Sequence, residues 1–85
     1  NFFMKKSILI IAVGKRRDAA VEIQKILTAG GCCIKTRLGI HDGVGDQCSE
    51  EGLIILELVG ETKDKKSLTK KLDALYAVRT KLVEI

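Results

Sequence analysis

The stretch KSILIIAV, Lys6 to Val13, decides the fold. Isoleucine or leucine fills four consecutive positions from Ile8, so both faces of an alternating strand are apolar. A strand with one solvated face would show a polar residue at every second position, so this one is predicted to be central and covered on both sides. LIILELV, Leu53 to Val59, repeats the pattern and is interrupted only by Glu57. Two other segments alternate and read as half-exposed: CCIKTRLGI, from Cys32 to Ile40, and VRTKLVEI, from Val78 to Ile85. In the first of these, Cys32, Ile34, Thr36, Leu38 and Ile40 are expected on one face. Lys35, Arg37 and Gly39 take the other, as suits an edge strand.

Two helical patterns lie between these segments. From Asp18, apolar residues at Ala20, Ile23 and Leu27, with Ala19 and Ile26 beside them, form a stripe at helical spacing. Asp18 suits the positive end of the helix dipole, and Gly30-Gly31 supplies a C-terminal stop. After a turn at Gly60 to Lys63, with Thr62 or Asp64 as N-cap, Leu68, Leu72, Leu75 and Tyr76 build a second stripe. Lys65, Lys66, Lys70, Lys71 and Asp73 are expected on its solvated side.

The order is strand, helix, strand, strand, helix, strand: an α+β, ferredoxin-like βαββαβ plan. It consists of a four-stranded antiparallel sheet with both helices on one face. The first and third strands are central in that plan, which matches the two most apolar segments. Since the helices cover only one face, Ile8, Ile10, Ala12, Leu53 and Ile55 would leave an apolar patch on the other. A homo-oligomer, dimer or tetramer, is therefore expected.

The 85 residues make one domain near the lower size limit for independent folding. Met4 reads as the natural start, with Asn1-Phe2-Phe3 as vector-derived residues and the domain running from Met4 to Ile85. The formal charge of +4 permits an acidic partner without demanding one. The longest apolar run, Ile8 to Val13, is far short of the roughly 20 residues needed to span a membrane. Three cysteines without a CxxC pair point to reduced thiols and a cytoplasmic location. Cys32 and Cys33, adjacent in a strand, would face opposite ways. No aromatic platform or groove-reading element argues for direct nucleic-acid binding.

Two places hold residues of chemical interest. GIHDGVGDQCSEEG, Gly39 to Gly52, carries the single histidine, His41, together with Asp42, Asp46, Cys48, Glu50 and Glu51. Histidine, thiolate and carboxylates are metal ligands, but with one His and one Cys a closed site needs a second chain or several carboxylates. Read plainly, the segment is a solvated connection whose glycines allow tight turns, although connections this long in small domains are usually functional or mobile. His41 with Cys48 as base and nucleophile is the one catalytic pairing on offer, and it has no orienting third group. The second place is VGKRRD, Val13 to Asp18. There Gly14, Lys15 and Arg16 sit where a strand gives way to a helix whose first amides are free to meet an anion. No phosphate-binding fingerprint is complete, and the sequence leaves any cofactor unknown.

IKTRLGIHD (Ile34 to Asp42), EEGLIILELVGE (Glu50 to Glu61) and SLTKKLDALYAVRTKLVEI (Ser67 to Ile85) resemble the iron-only hydrogenase system regulators. In that family a strand ending in Arg-x-Gly, here Arg37-Leu38-Gly39, leads through a loop to an apolar strand. A leucine-bearing helix and a Val-Arg-x-Lys strand, here Val78 to Lys81, follow. The resemblance covers Lys6 to Ile85. It implies an ACT-like form of the ferredoxin plan, related in fold to the C-terminal domain of nickel-responsive repressors. It also implies a regulatory role, a small effector held where the first strand meets the first helix, at Gly14 to Asp18, and no enzymatic activity. A metal, if any, would fall to His41 and Cys48. The alternative expectation is an assembly module that binds a hydrogenase maturation protein through the edge strand Cys32 to Ile40.

Overall fold

The computed structural model describes residues 5–41 and 51–85, apart from the side chains of Arg16, Ile40 and His41. The described elements run β1 (Ser7–Val13), α1 (Arg16–Ala29), a short 3-10 turn (Gly31–Cys33), β2 (Ile34–His41), β3 (Gly52–Leu58), α2 (Thr62–Asp73) and β4 (Val78–Glu84). The strands form one antiparallel sheet in the order β2-β3-β1-β4. The two doubly apolar strands are the inner pair, as their composition requires, and the ferredoxin-like α+β architecture is as expected.

Burial along β1 alternates strictly. Ser7, Leu9, Ile11 and Val13 are buried, while Ile8, Ile10 and Ala12 are only half-covered. The buried set meets Leu56 and Leu58 of β3, Ala19, Ile23 and Leu27 of α1, and Leu68 and Leu72 of α2 in one core. The opposite face is open. By register, Ile10 lies between Lys81 of β4 and Ile55 of β3, and Ile55 in turn pairs with Leu38 of β2. A continuous apolar strip thus crosses three strands with no helix over it. An acidic interruption on this face, Glu57, is matched by Lys6 at 3.7 Å and Lys35 at 4.0 Å.

Four local expectations are corrected. The α1 stripe contains Ala19 rather than Ala20, because the helix begins at Arg16 and places Ala19, Ile23, Ile26 and Leu27 on the sheet side. Tyr76 is not part of the second stripe: α2 ends at Asp73, and Tyr76 is 77% exposed. Cys32 and Cys33 lie in the 3-10 turn, not in a strand, with Cys33 buried and Cys32 exposed. The alternation drawn through β2 fails at a register shift between Ile34 and Thr36. This bulge places Ile34 against the core, while Thr36 and Leu38 pair with Glu57 and Ile55 of the open face. Arg37 instead reaches over α1, donating to Gln24 Oε1 at 3.0 Å.

Lys65, expected in solvent, turns inward as well. Its Nζ donates to Ser7 Oγ at 2.8 Å, and Ser7 donates to Glu84 Oε2 at 2.7 Å. Ser7, 1% exposed, is the buried polar residue among the described residues, and these two bonds satisfy it. Its hydroxyl holds the Glu84 carboxyl below the usual range, and Lys5, 3.4 Å away, acts in the same direction. A carboxyl lowered on folding contributes stability above its ordinary value of about 4.3, and that contribution is lost as pH falls through the lowered value. Ser7→Ala is therefore expected to reduce stability at neutral pH and to flatten the acid limb of the stability–pH curve. Urea titrations between pH 7 and pH 3 would check both. An unchanged acid limb would mean that Ser7 does not set the Glu84 carboxyl.

Candidate functional site

One end of the sheet brings together segments far apart in sequence. Val13 pairs with Gly52 on one side and Val78 on the other, and Gly52 pairs with His41. The terminal row therefore reads His41, Gly52, Val13, Val78. At about 4.8 Å per strand spacing, the backbone of His41 lies roughly 10 Å from that of Val13. The strand–helix junction at Gly14 and the boundaries of the long connection, at His41 and Glu51, share this end. The Gly14 junction and the two described ends of that connection, separate in the sequence, are neighbours in the fold.

The junction is shaped by backbone. Gly14 N–H donates to Ala77 O at 2.7 Å, tying the start of the α1 approach to the residue before β4. Lys15, with φ −127°, caps α1 without a side-chain hydrogen bond, and Asp18 occupies the first turn. Gly14, Glu51, Gly52, Leu53, Ala77 and Arg79 border a depression of about 550 Å³. A methyl group at Gly14 would meet Ala77 O at 3.5 Å and Ala77 Cβ at 3.6 Å, both ordinary contacts. The chain's own packing therefore does not require glycine there.

Of the expected site residues, Gly14 borders the depression, and Lys15 is exposed next to it. The Arg16 side chain lies outside the described residues, as do the His41 side chain, Asp42 and Cys48. Among the described residues no group of three or more His, Cys, Asp or Glu side chains is arranged to hold a metal.

Gly52, Ala77 and Arg79 were missed by sequence reading. Gly52 was visible only as the end of a glycine-rich stretch, and nothing in the order of residues placed Ala77 beside Gly14. Ala77 has φ 59°, in the left-handed region that costs a side-chain-bearing residue about 1–2 kcal/mol. Ala77→Gly removes that strain and adds unfolded-chain freedom worth roughly 0.5–1 kcal/mol. A net gain of about 0.5–1 kcal/mol in chemical denaturation is expected, and a loss would show that the Ala77 methyl makes a contact worth more than its strain.

No protein-family model matches the chain, and no curated protein matches it in sequence. Solved structures do match. An uncharacterized protein, TM1266 from Thermotoga maritima, is 26% identical, with a TM-score of 0.80 over 96% of this chain and 99% of that one. CPII from Thiomonas intermedia, solved bound to ADP, AMP and acetate, superposes with a TM-score of 0.61 at 11% identity, covering 95% of this chain and 86% of its own. A PII-like signalling protein from Thermus thermophilus gives 0.61 at 14% identity, over 96% and 88%. The last two show a shared fold. No helix among the described residues is long and apolar enough to cross a membrane.

Proposed function

We propose that this chain is a non-enzymatic, cytoplasmic regulatory module that assembles as a homo-oligomer and senses a small effector at the Gly14 end of its sheet. The observation that carries the reading is the convergence at that end. A glycine the fold does not need, a second glycine at Gly52, and the cationic side chain of Arg79 border one depression. Glycines at such a place let a ligand approach backbone amides closely, and Arg79 and Lys15 favour an anionic group on it. The fold shared with a nucleotide-bound PII-like protein supports a regulatory role. The resemblance to iron-only hydrogenase system regulators supports a place in that system. His41, Asp42 and Cys48 would join the site from the connection that starts and ends at the same row.

Thermal-shift titration with adenine nucleotides, amino acids and divalent metals tests the site directly. A ligand that stabilises the wild-type chain should lose that effect in Gly14→Leu, whose side chain enters the depression. A wild-type chain unmoved by every ligand, with hydrogenase maturation unaffected by deletion of its gene, would overturn the proposal.

A second reading, as an assembly partner that adds a strand to this sheet, draws on β2 lying at the outer edge. The bulge confines regular pairing of β2 to Thr36–His41, so an added strand would find a short template. Pull-down of a maturation protein that depends on Lys35 and Arg37 would favour this reading; binding insensitive to their reversal to glutamate would remove it.

A further inference from the structure

The 3-10 turn between α1 and β2 changes what the two adjacent cysteines can do. In a strand, Cys32 and Cys33 would point to opposite faces. Successive residues of a 3-10 turn are only about 120° apart and rise about 2 Å, so neighbouring side chains can share one wall. Here they do. Cys32, exposed, and Cys33, buried, both border one cleft of about 320 Å³ between the end of α1 and the first half of α2.

Backbone contacts hold the turn in place. Cys33 N–H donates to Gly30 O at 3.1 Å, and Val59 N–H donates to Cys33 O at 2.8 Å. The Cys33 thiol donates to Gly30 O at 3.3 Å. Gly60, with φ 95°, borders the same cleft, and a Cβ there would stand 4.0 Å from Cys33 Cβ. Glycine at that position keeps bulk away from the buried thiol. Cys32 has no hydrogen-bond partner among the described residues, so its side chain is free to turn toward its neighbour.

A metal ion between these sulfurs would meet two thiolates. Structural zinc and iron–sulfur clusters take four ligands, and among the described residues no set of three His, Cys, Asp or Glu side chains is assembled. Two thiolates suffice for a soft, closed-shell monovalent ion, which binds sulfur linearly and gains little from oxygen donors. Each thiol gives its proton to solvent as its sulfur takes the metal, and nothing is oxidised or reduced. The complex keeps one negative charge. Asp64 and Lys71, of opposite sign, border the same cleft, so that charge meets no net repulsion.

We propose that Cys32 and Cys33 together form a two-thiolate site for one soft monovalent metal ion, Cu(I), in this cleft. The site uses no residue of the Gly14 depression and does not depend on a ligand there.

The test is an anaerobic competition between the reduced protein and bicinchoninate, a chromogenic Cu(I) chelator. A Cys48→Ser chain, which lacks the third cysteine, should withdraw one Cu(I) per chain. X-ray absorption should show two sulfur neighbours and no nitrogen or oxygen. Cys32→Ser and Cys33→Ser should each weaken binding by at least about a hundredfold, more than loss of an outer-shell partner costs. Cys32 is exposed, so its replacement leaves the fold intact and decides the matter if Cys33→Ser does not fold. Gly14→Leu should change nothing. An exposed thiol acting alone would bind equally well in Cys33→Ser, and two chains sharing one ion through Cys32 would take up half as much copper. Either result would overturn the proposal, as would copper left with the chelator or a shell containing nitrogen or oxygen.

Discussion

Ile55→Glu is expected to reduce the assembled protein to single chains of 9.3 kDa. Ile55 occupies the middle of the open sheet face, flanked across the strands by Ile10 and Leu38. In an isolated chain it is only half-covered, so a glutamate there stays hydrated and the fold tolerates it. In a face-to-face assembly the same carboxylate is stripped of water without a partner, and a two-fold axis repeats the penalty on the second copy. A cost of about 4 kcal/mol weakens association roughly a thousandfold. Native mass at micromolar concentration, with circular dichroism to confirm the fold, gives the answer. A wild-type mass already equal to one chain would show that this face has no second copy on it, and would remove the oligomer from the proposed function.

Leu56→Ala is expected to have the largest effect on stability. Leu56 is 0% exposed and pairs in register with Leu9, also 0% exposed, at the centre of the helix-covered face. Truncating a leucine at such a position costs about 3–5 kcal/mol, because lost transfer energy adds to an unfilled cavity. A domain of this size holds about 5–15 kcal/mol in all, so the variant should be marginal. At about 4–8 °C per kcal/mol, the midpoint of thermal unfolding should fall by more than about 12 °C. Leu38→Ala provides the contrast: at 53% exposure it should cost a monomer about 0.5 kcal/mol or less. Equal effects from the two would mean that the helix-covered face is not the core.

The sheet was legible because β1 and β3 carry their information in composition. A strand apolar on both faces has only one place to go, and its neighbours follow from the order of elements. Details that depend on a single residue's geometry were not legible. The bulge at Lys35 leaves no mark in an alternating sequence, yet it moves Thr36 and Leu38 to the opposite face from Ile34. A lysine among lysines gives no sign that Lys65 turns inward to Ser7. The candidate site was half-legible: Gly14 could be picked out as a break between strand and helix. Its neighbours Gly52 and Ala77 are brought to it by strand register and by one backbone hydrogen bond, which no local pattern encodes.

The bulge in β2 also determines how assembly can end. Strands added edge to edge leave a new free edge each time, so growth of that kind has no natural stop and leads to fibres. On one side of this sheet the ladder is broken at Lys35, and on the other β4 presents Arg79 and Lys81. Both borders therefore discourage a further strand. The apolar face between them would be used up by a single second copy. An assembly of a chain guarded at its borders and open on its face would close as a particle of fixed size rather than grow as a filament.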